Sequence, residues 1–284
     1  MTFQYYLTVF IDLLGQKDSL KKLERVSDKK IDEKEFIESI KNSVGKVSLF
    51  RKLFDEYFIG AKSHVVNKDL VAPIHQEDFI ASQKLDIIFN GFSDSFIISV
   101  PLMNNDENCT AMNGIFAAFG AICGLGLCLL SVGVPCRAGL DVGLGTQIND
   151  REIYGLSLER AYYLENCLAE YPRYLIGEEL VNYLVSIENQ KPTTPFGLIA
   201  KNLASECKKM IIRDTDGRLM LDFMGNVIRE TNMDSIDKET VLKARDFITS
   251  MYQKYIDENN YKLSSRYYRL IAYFNSRKQI WGII

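Results

Sequence analysis

Histidine is nearly absent. The 284 residues hold two, His64 and His75, and neither stands in a His-Glu-x-x-His or similar ligand spacing. A histidine-ligated metal and a serine–histidine–aspartate triad are therefore poorly supported. Cysteine is never paired at short range. Cys109, Cys123, Cys128, Cys136, Cys167 and Cys207 include no Cys-x-x-Cys, and most lie in apolar stretches. That is the pattern of buried, reduced thiols rather than of a disulfide framework or a zinc site. Excess charge is missing too. A formal net charge of −3 offers nothing to nucleic acid or a membrane surface through bulk attraction. An anionic substrate would need local cations or metal ions.

The first fifteen residues lack the basic segment and small-residue cleavage site of a signal peptide, so the expected location is the cytoplasm. From Cys109 to Cys136 no charged residue occurs, and residues 114–134 are long enough to span a bilayer. Five glycines, the lack of an aromatic belt and no basic flank before Arg137 argue against a span. A span would also put Asp94 and Arg137 on opposite sides of a membrane. The expectation is a helix buried in a core or a dimer interface. With 47% apolar and 25% charged residues, the chain has the balance of a globular protein with a sizeable core. It shows no repeat and no low-complexity tract.

Residues 6–14 form an apolar run of strand length ending at Gly15. Residues 17–32 are charged and read as helix plus connection, and residues 33–58 carry apolar positions at helical spacing. Residues 60–82 read as a long loop. Residues 85–89 and 95–100 form two strands joined through Asn90-Gly91-Phe92-Ser93-Asp94, with Gly91 as the flexible turn residue. The apolar helix follows, then strands at 137–145 and 151–154, a helix over 155–171, a strand at 174–176 and a helix to about 186. Residues 188–195 read as a linker with two prolines. A hairpin turns at Asp214-Thr215-Asp216-Gly217, and residues 237–259 and 261–277 are helical. The class is α+β, with residues 1–186 as one core and 187–284 as a hairpin and helices packed on it.

Two carboxylates stand out. Asp12 ends a very apolar strand, and a lone buried carboxylate is costly unless a partner or cation meets it. It is otherwise a cap on the following loop. Asp94 sits at a hairpin tip between apolar strands, where ordinary turn chemistry is the alternative. Together they suggest a shared site for Mg²⁺ or Mn²⁺, which take oxygen ligands and bind through one or two carboxylates plus substrate phosphates. Asp141 lies on another apolar strand, as a third acidic group or an outward-facing one.

Four segments carry a resemblance. They are Phe10-Ile11-Asp12-Leu13-Leu14-Gly15; Phe92-Ser93-Asp94-Ser95-Phe96; Arg137-Ala138-Gly139-Leu140-Asp141-Val142-Gly143; and Tyr154-Gly155 with Leu158, Ala161, Leu164, Glu165 and Tyr171-Pro172-Arg173. In order and spacing they resemble the class III nucleotidyl cyclases, and among them the bacterial pyrimidine cyclases of the Pycsar antiphage system. The resemblance covers roughly residues 5–180. It implies a ferredoxin-like core of mixed or antiparallel sheet with helices packed on it, a C-terminal helical extension, and a homodimer whose sites form between subunits. It also implies a phosphorus–oxygen lyase. The ribose 3′-oxygen of a nucleoside triphosphate attacks the α-phosphate, pyrophosphate leaves, and the 3′,5′-cyclic monophosphate forms as a defence signal for a downstream effector that binds it.

The implied metal set is Asp12, Leu13 and Asp94, holding two divalent cations, Mn²⁺ or Mg²⁺. Leu13, Leu14 and Gly15 would face the phosphates. The purine enzymes carry a Lys-x-x-Gly-Asp hairpin whose lysine reads the base, and here that stretch begins at Asn90. UTP is favoured over CTP. Their Asn and Arg pair, four residues apart, falls on Glu159 and Tyr163, so Arg160 or Arg173 would supply the transition-state cation, with a surface ion pair as the alternative for Arg160. Tyr57 would narrow the base pocket, or pack in the core. The other functions weighed are a purine cyclase with an unusual hairpin, and a silent cyclase-like dimerisation or sensing module.

Overall fold

A computed structural model of the chain describes residues 3–15, 33–64, 72–77, 87–102, 109–148, 152–231 and 236–283. The expected helix in residues 17–32 lies outside the described residues. β1 (Phe3–Leu13) alternates. Leu7, Val9, Ile11 and Leu13 enter the apolar core, while Thr8, Phe10 and Asp12 take the opposite face. α1 (Glu33–His64), β2 (Ile88–Phe92), β3 (Ser95–Leu102), α2 (Cys109–Ser131) and β4 (Cys136–Ile148) follow. These first four strands stand in the order β2-β3-β1-β4, every neighbour antiparallel.

The sheet then continues through the second half of the chain. β5 (Glu152–Gly155) folds back on β4, and α3 (Leu156–Tyr163) runs into a π-helical turn, Leu164–Leu168. β6 (Tyr174–Ile176) pairs parallel to β4, which makes the sheet mixed. After α4 (Glu178–Glu188) and α5 (Pro195–Lys209), β7 (Ile211–Arg213) and β8 (Leu219–Leu221) extend the same sheet from β6. α6 (Asn226–Thr231), α7 (Lys238–Asp257) and α8 (Tyr261–Arg277) complete an α+β protein. One sheet and one apolar cluster run across residues 186 and 187.

α1 and α2 cover the Leu7–Leu13 face. Phe50 of α1 stacks on Phe96 of β3 at 4.1 Å, and Phe96 pairs with Ile11. α2 is the long apolar helix, and 89% of its apolar window is buried inside the protein. Its glycines explain why. A Cβ at Gly124 would sit 2.5 Å from the Tyr57 ring, and one at Gly126 would sit 1.7 Å from the Tyr174 hydroxyl. Two aromatic side chains therefore rest directly on the helix backbone. Each fully buried Leu or Phe there contributes about 1.5–3 kcal/mol, so its apolar length serves the core.

Two local expectations change. The β2–β3 connection is a two-residue turn, Ser93 and Asp94, because Phe92 pairs with Ser95. The left-handed residue is Ser93, at φ 56°, while Gly91 lies within β2. The expected linker over residues 188–195 runs into a helix, because α5 begins at Pro195. Pro195 occupies its first turn, and the Thr194 hydroxyl caps it by accepting from the Gly197 N–H at 3.1 Å.

Candidate active site

Register places the site. Asp12 of β1 pairs with Ser95 of β3 on one side and with Arg137 of β4 on the other. Directly paired residues share a face, so Phe92, Ser95, Asp12 and Arg137 form one row across the sheet. Asn90, Ile97, Phe10 and Gly139 form the next. Both rows face α3. The Phe10 ring meets Tyr162 edge-on at 5.2 Å, and the Thr8 hydroxyl donates to Ser157 at 2.9 Å. α3 approaches this closely because β4 presents glycine there. A Cβ at Gly139 would lie 2.1 Å from the Ala161 carbonyl oxygen, and one at Gly143 would lie 2.6 Å from the Ser157 nitrogen.

The Ser95 hydroxyl donates to Asp12 Oδ1 at 3.0 Å. Asp94 precedes Ser95 at the turn, and its backbone carbonyl accepts from the Leu13 N–H at 3.1 Å. The two carboxylates thus belong to adjacent strand ends stitched together on both sides of Asp12. The Asp94 side chain is half-buried and has no hydrogen-bond or ion-pair partner among the described residues. The Leu14 N–H donates to the Pro135 carbonyl at 2.8 Å, and Gly15 then turns at φ 85°, a conformation that glycine reaches without strain.

Among the described residues, Arg137 brings a cation beside Asp12. One guanidinium nitrogen lies 3.6 Å from Asp12 Oδ2, and Nε lies 2.5 Å from Glu165 Oε1. A third contact donates to the Ala169 carbonyl at 3.2 Å. Glu165 is buried in the π-helical turn, a device often found at functional sites. Loss of water raises its carboxyl from 4.5 to about 7; Arg137 opposes the shift, and the Asp12 charge adds to it. Sequence reasoning quoted Glu165 and Arg137 without giving either a role. The signal was an ionisable residue at helical spacing within an apolar surround, next to a strand arginine.

The other expected site residues are not brought to this point. Arg160 donates to the Val142 carbonyl at 2.9 Å and lies 4.0 Å from Glu179. Val142 pairs with Leu7, five residues along β1 from Asp12, so this anchor is about 17 Å away along the strand. Arg173 is fully buried. It binds Asp214, Asp216 and the Leu168 carbonyl and lies over the Tyr171 ring, so its charge is consumed inside the fold. Tyr57 packs α1 on α2 across the sheet, with its hydroxyl 2.7 Å from Cys128 Sγ. Asp141 accepts from the Leu180 N–H at 2.9 Å and so serves the first turn of α4.

The donor set suits a hard cation. Asp12 and Asp94 offer carboxylate oxygens from neighbouring strand ends, and Ser95 orients one of them, as outer partners do at metal sites. No cluster of three or more His, Cys, Asp or Glu side chains suited to a metal occurs among the described residues. Beside this row lies an open groove of about 580 Å³ lined by Phe10, Ile97, Tyr154, Leu156, Leu158 and Tyr162. Comparison with family models, curated proteins and solved structures finds no match for the chain.

Proposed function

We propose that the chain is a metal-dependent nucleotidyl cyclase of the class III type, converting a pyrimidine nucleoside triphosphate, UTP before CTP, to its 3′,5′-cyclic monophosphate in the cytoplasm. The observation that supports this reading is the placement of Asp12 and Asp94 on adjacent strand ends, joined through Ser95 and Leu13. The β-α-β-β-α-β order with strands 2-3-1-4 suits the same reading, because it is the split β-α-β arrangement of a ferredoxin-like core.

In this reading Asp12 and Asp94 hold two divalent cations, and Leu13 lies between them in the backbone. The bound cations would supply positive charge for the triphosphate and the entering 3′-oxygen. The bond formed is ribose 3′-O to the α-phosphorus. The bond broken joins that phosphorus to the bridging oxygen of the departing pyrophosphate, and the 3′-hydroxyl proton passes to solvent. The Leu14–Gly15 backbone faces the phosphates. Asn90, one row above Asp12 on the same face, takes the base-reading position.

The active species in this reading is a homodimer that closes over the α3 face. Tyr154, Leu156 and Tyr162 are exposed around the groove, an apolar patch of the kind that marks an interaction site. Arg160 then acts on the partner's Asp12 row. The product serves as a second messenger in antiphage defence. Incubation with each triphosphate and Mn²⁺, with products weighed by mass spectrometry, tests the reading.

A further inference from the structure

A second cavity, of about 390 Å³, opens between the Leu14–Gly15 turn, the α2–β4 turn at Gly133 and Pro135, and helices α7 and α8. Neither Asp12 nor Asp94 lines it. Three elements each bring a cation to its wall: Lys46 from α1, Lys254 from α7 and Arg266 from α8. Lys46 and Arg266 have no ion-pair partner among the described residues. Lys254 has only a loose one, Glu258 at 3.9 Å. The single carboxylate in the described lining, Glu170, is already engaged by Arg269 at 3.0 Å. On a chain of net charge −3, this is a locally cationic cavity with unspent donors.

The rest of the wall is aromatic. Tyr255 and Tyr267 have ring centroids 5.6 Å apart, and Phe247 meets Tyr267 edge-on at 6.4 Å. Tyr171 also lines the cavity. A phosphate alone uses the cations and wastes the rings; an apolar ring alone strands the cations. The volume lies at the small end of the range for small-molecule pockets, which suits one nucleotide and excludes a folded peptide.

We propose that this cavity is a ligand site for a nucleoside phosphate, one that shares the Leu14–Gly15 turn with the Asp12–Asp94 row but holds neither carboxylate in its wall. The base packs against Tyr255, Tyr267 and Phe247, and the phosphate meets Lys46 and Arg266. The assignment does not depend on the cyclase reading. Because Leu14 and Gly15 form part of the wall, an occupied cavity also fixes the end of β1.

Titration calorimetry in EDTA, with UMP, AMP and pyrophosphate as separate probes, tests it. The expected result is one site per chain for at least one nucleotide, with pyrophosphate at least tenfold weaker. Lys46→Gln and Arg266→Gln, on different helices and each checked for folding by circular dichroism, are each expected to weaken nucleotide binding tenfold or more. Asp12→Asn and Asp94→Asn are expected to leave it unchanged. No binding by either nucleotide overturns the proposal, as does binding indifferent to both cation variants or lost in Asp12→Asn. Pyrophosphate binding as tightly as the nucleotides overturns the assignment of the rings. A chain that turns over no triphosphate yet binds nucleotide here contradicts the cyclase reading and supports this site.

Discussion

The Ser95 hydroxyl holds Asp12 across the β1–β3 pair, 3.0 Å from Oδ1. The next residue toward the turn is Asp94, so one hydrogen bond and one register position fix the two strand ends that carry the carboxylates. Replacing either carboxylate by its amide keeps the shape and removes a charge. Asp12→Asn and Asp94→Asn are expected to lose cyclase turnover by at least a hundredfold while melting temperature moves by only a few degrees, a cost of about 1 kcal/mol. Turnover near the original rate in either variant, measured by product mass spectrometry, would remove the two-carboxylate site.

Glu165 links stability to pH. Its folded-state carboxyl is raised from 4.5 to about 7 by burial, so the folded chain holds that proton more tightly than the unfolded one. The stability it gives is full below about pH 4.5 and is lost as pH rises through about 7. Thermal melts at pH 5 and pH 8 should therefore differ, with the lower value at pH 8, and Glu165→Gln should flatten that difference. An unchanged slope in the variant contradicts the assignment.

Arg173 tests whether a buried cation is structural. With Asp214 and Asp216 as its partners, its removal leaves the Asp214 carboxylate without this counter-charge, while Asp216 keeps Arg218 at 2.6 Å. Arg173→Met is expected to cost about 3–5 kcal/mol, read as a lowered urea midpoint. A stable variant lacking only activity would return Arg173 to the catalytic list.

Arg160 is the opposite case. It is half-exposed, donating to the Val142 carbonyl and lying 4.0 Å from Glu179, so Arg160→Ala is expected to change stability by less than about 1 kcal/mol. If the dimer shares its sites, mixing inactive Arg160→Ala with inactive Asp12→Asn protomers should restore part of the activity. Full activity in Arg160→Ala alone would remove it from the reaction.

Gly126 carries the packing claim for α2. Gly126→Ala drives a methyl group into the Tyr174 hydroxyl, and overpacking of this kind costs about 1–3 kcal/mol. A melting temperature equal to that of the original chain would show that Tyr174 can move aside.

Much of the fold was legible in the sequence because its elements have clear periods and stops. The strand over residues 6–14, the 174–176 strand and the Asp214–Gly217 hairpin follow from patterning and turn chemistry alone, while the alternation of β1 between two faces does not. α5 was not legible, since Pro192 and Pro195 read as a linker until Thr194 is seen capping a helix whose first turn holds the second proline. The two-residue turn was missed because Ser93, not Gly91, takes the left-handed conformation, a choice set by strand register. Asp12 and Asp94 stood out as strand-end charges. The core position of Tyr57 is one of the two readings its helical spacing allows, but the destinations of Arg173 and Asp141 did not stand out, because a buried ion pair and a helix cap depend on contacts far apart in the chain.

The most direct measurement is incubation of the purified chain with ATP, GTP, CTP and UTP separately, with Mn²⁺, followed by mass spectrometry. The account predicts a cyclic pyrimidine monophosphate and pyrophosphate, cyclic UMP foremost, and none of either from the Asp12→Asn chain. No cyclic product from any of the four, or equal product from Asp12→Asn, would contradict it.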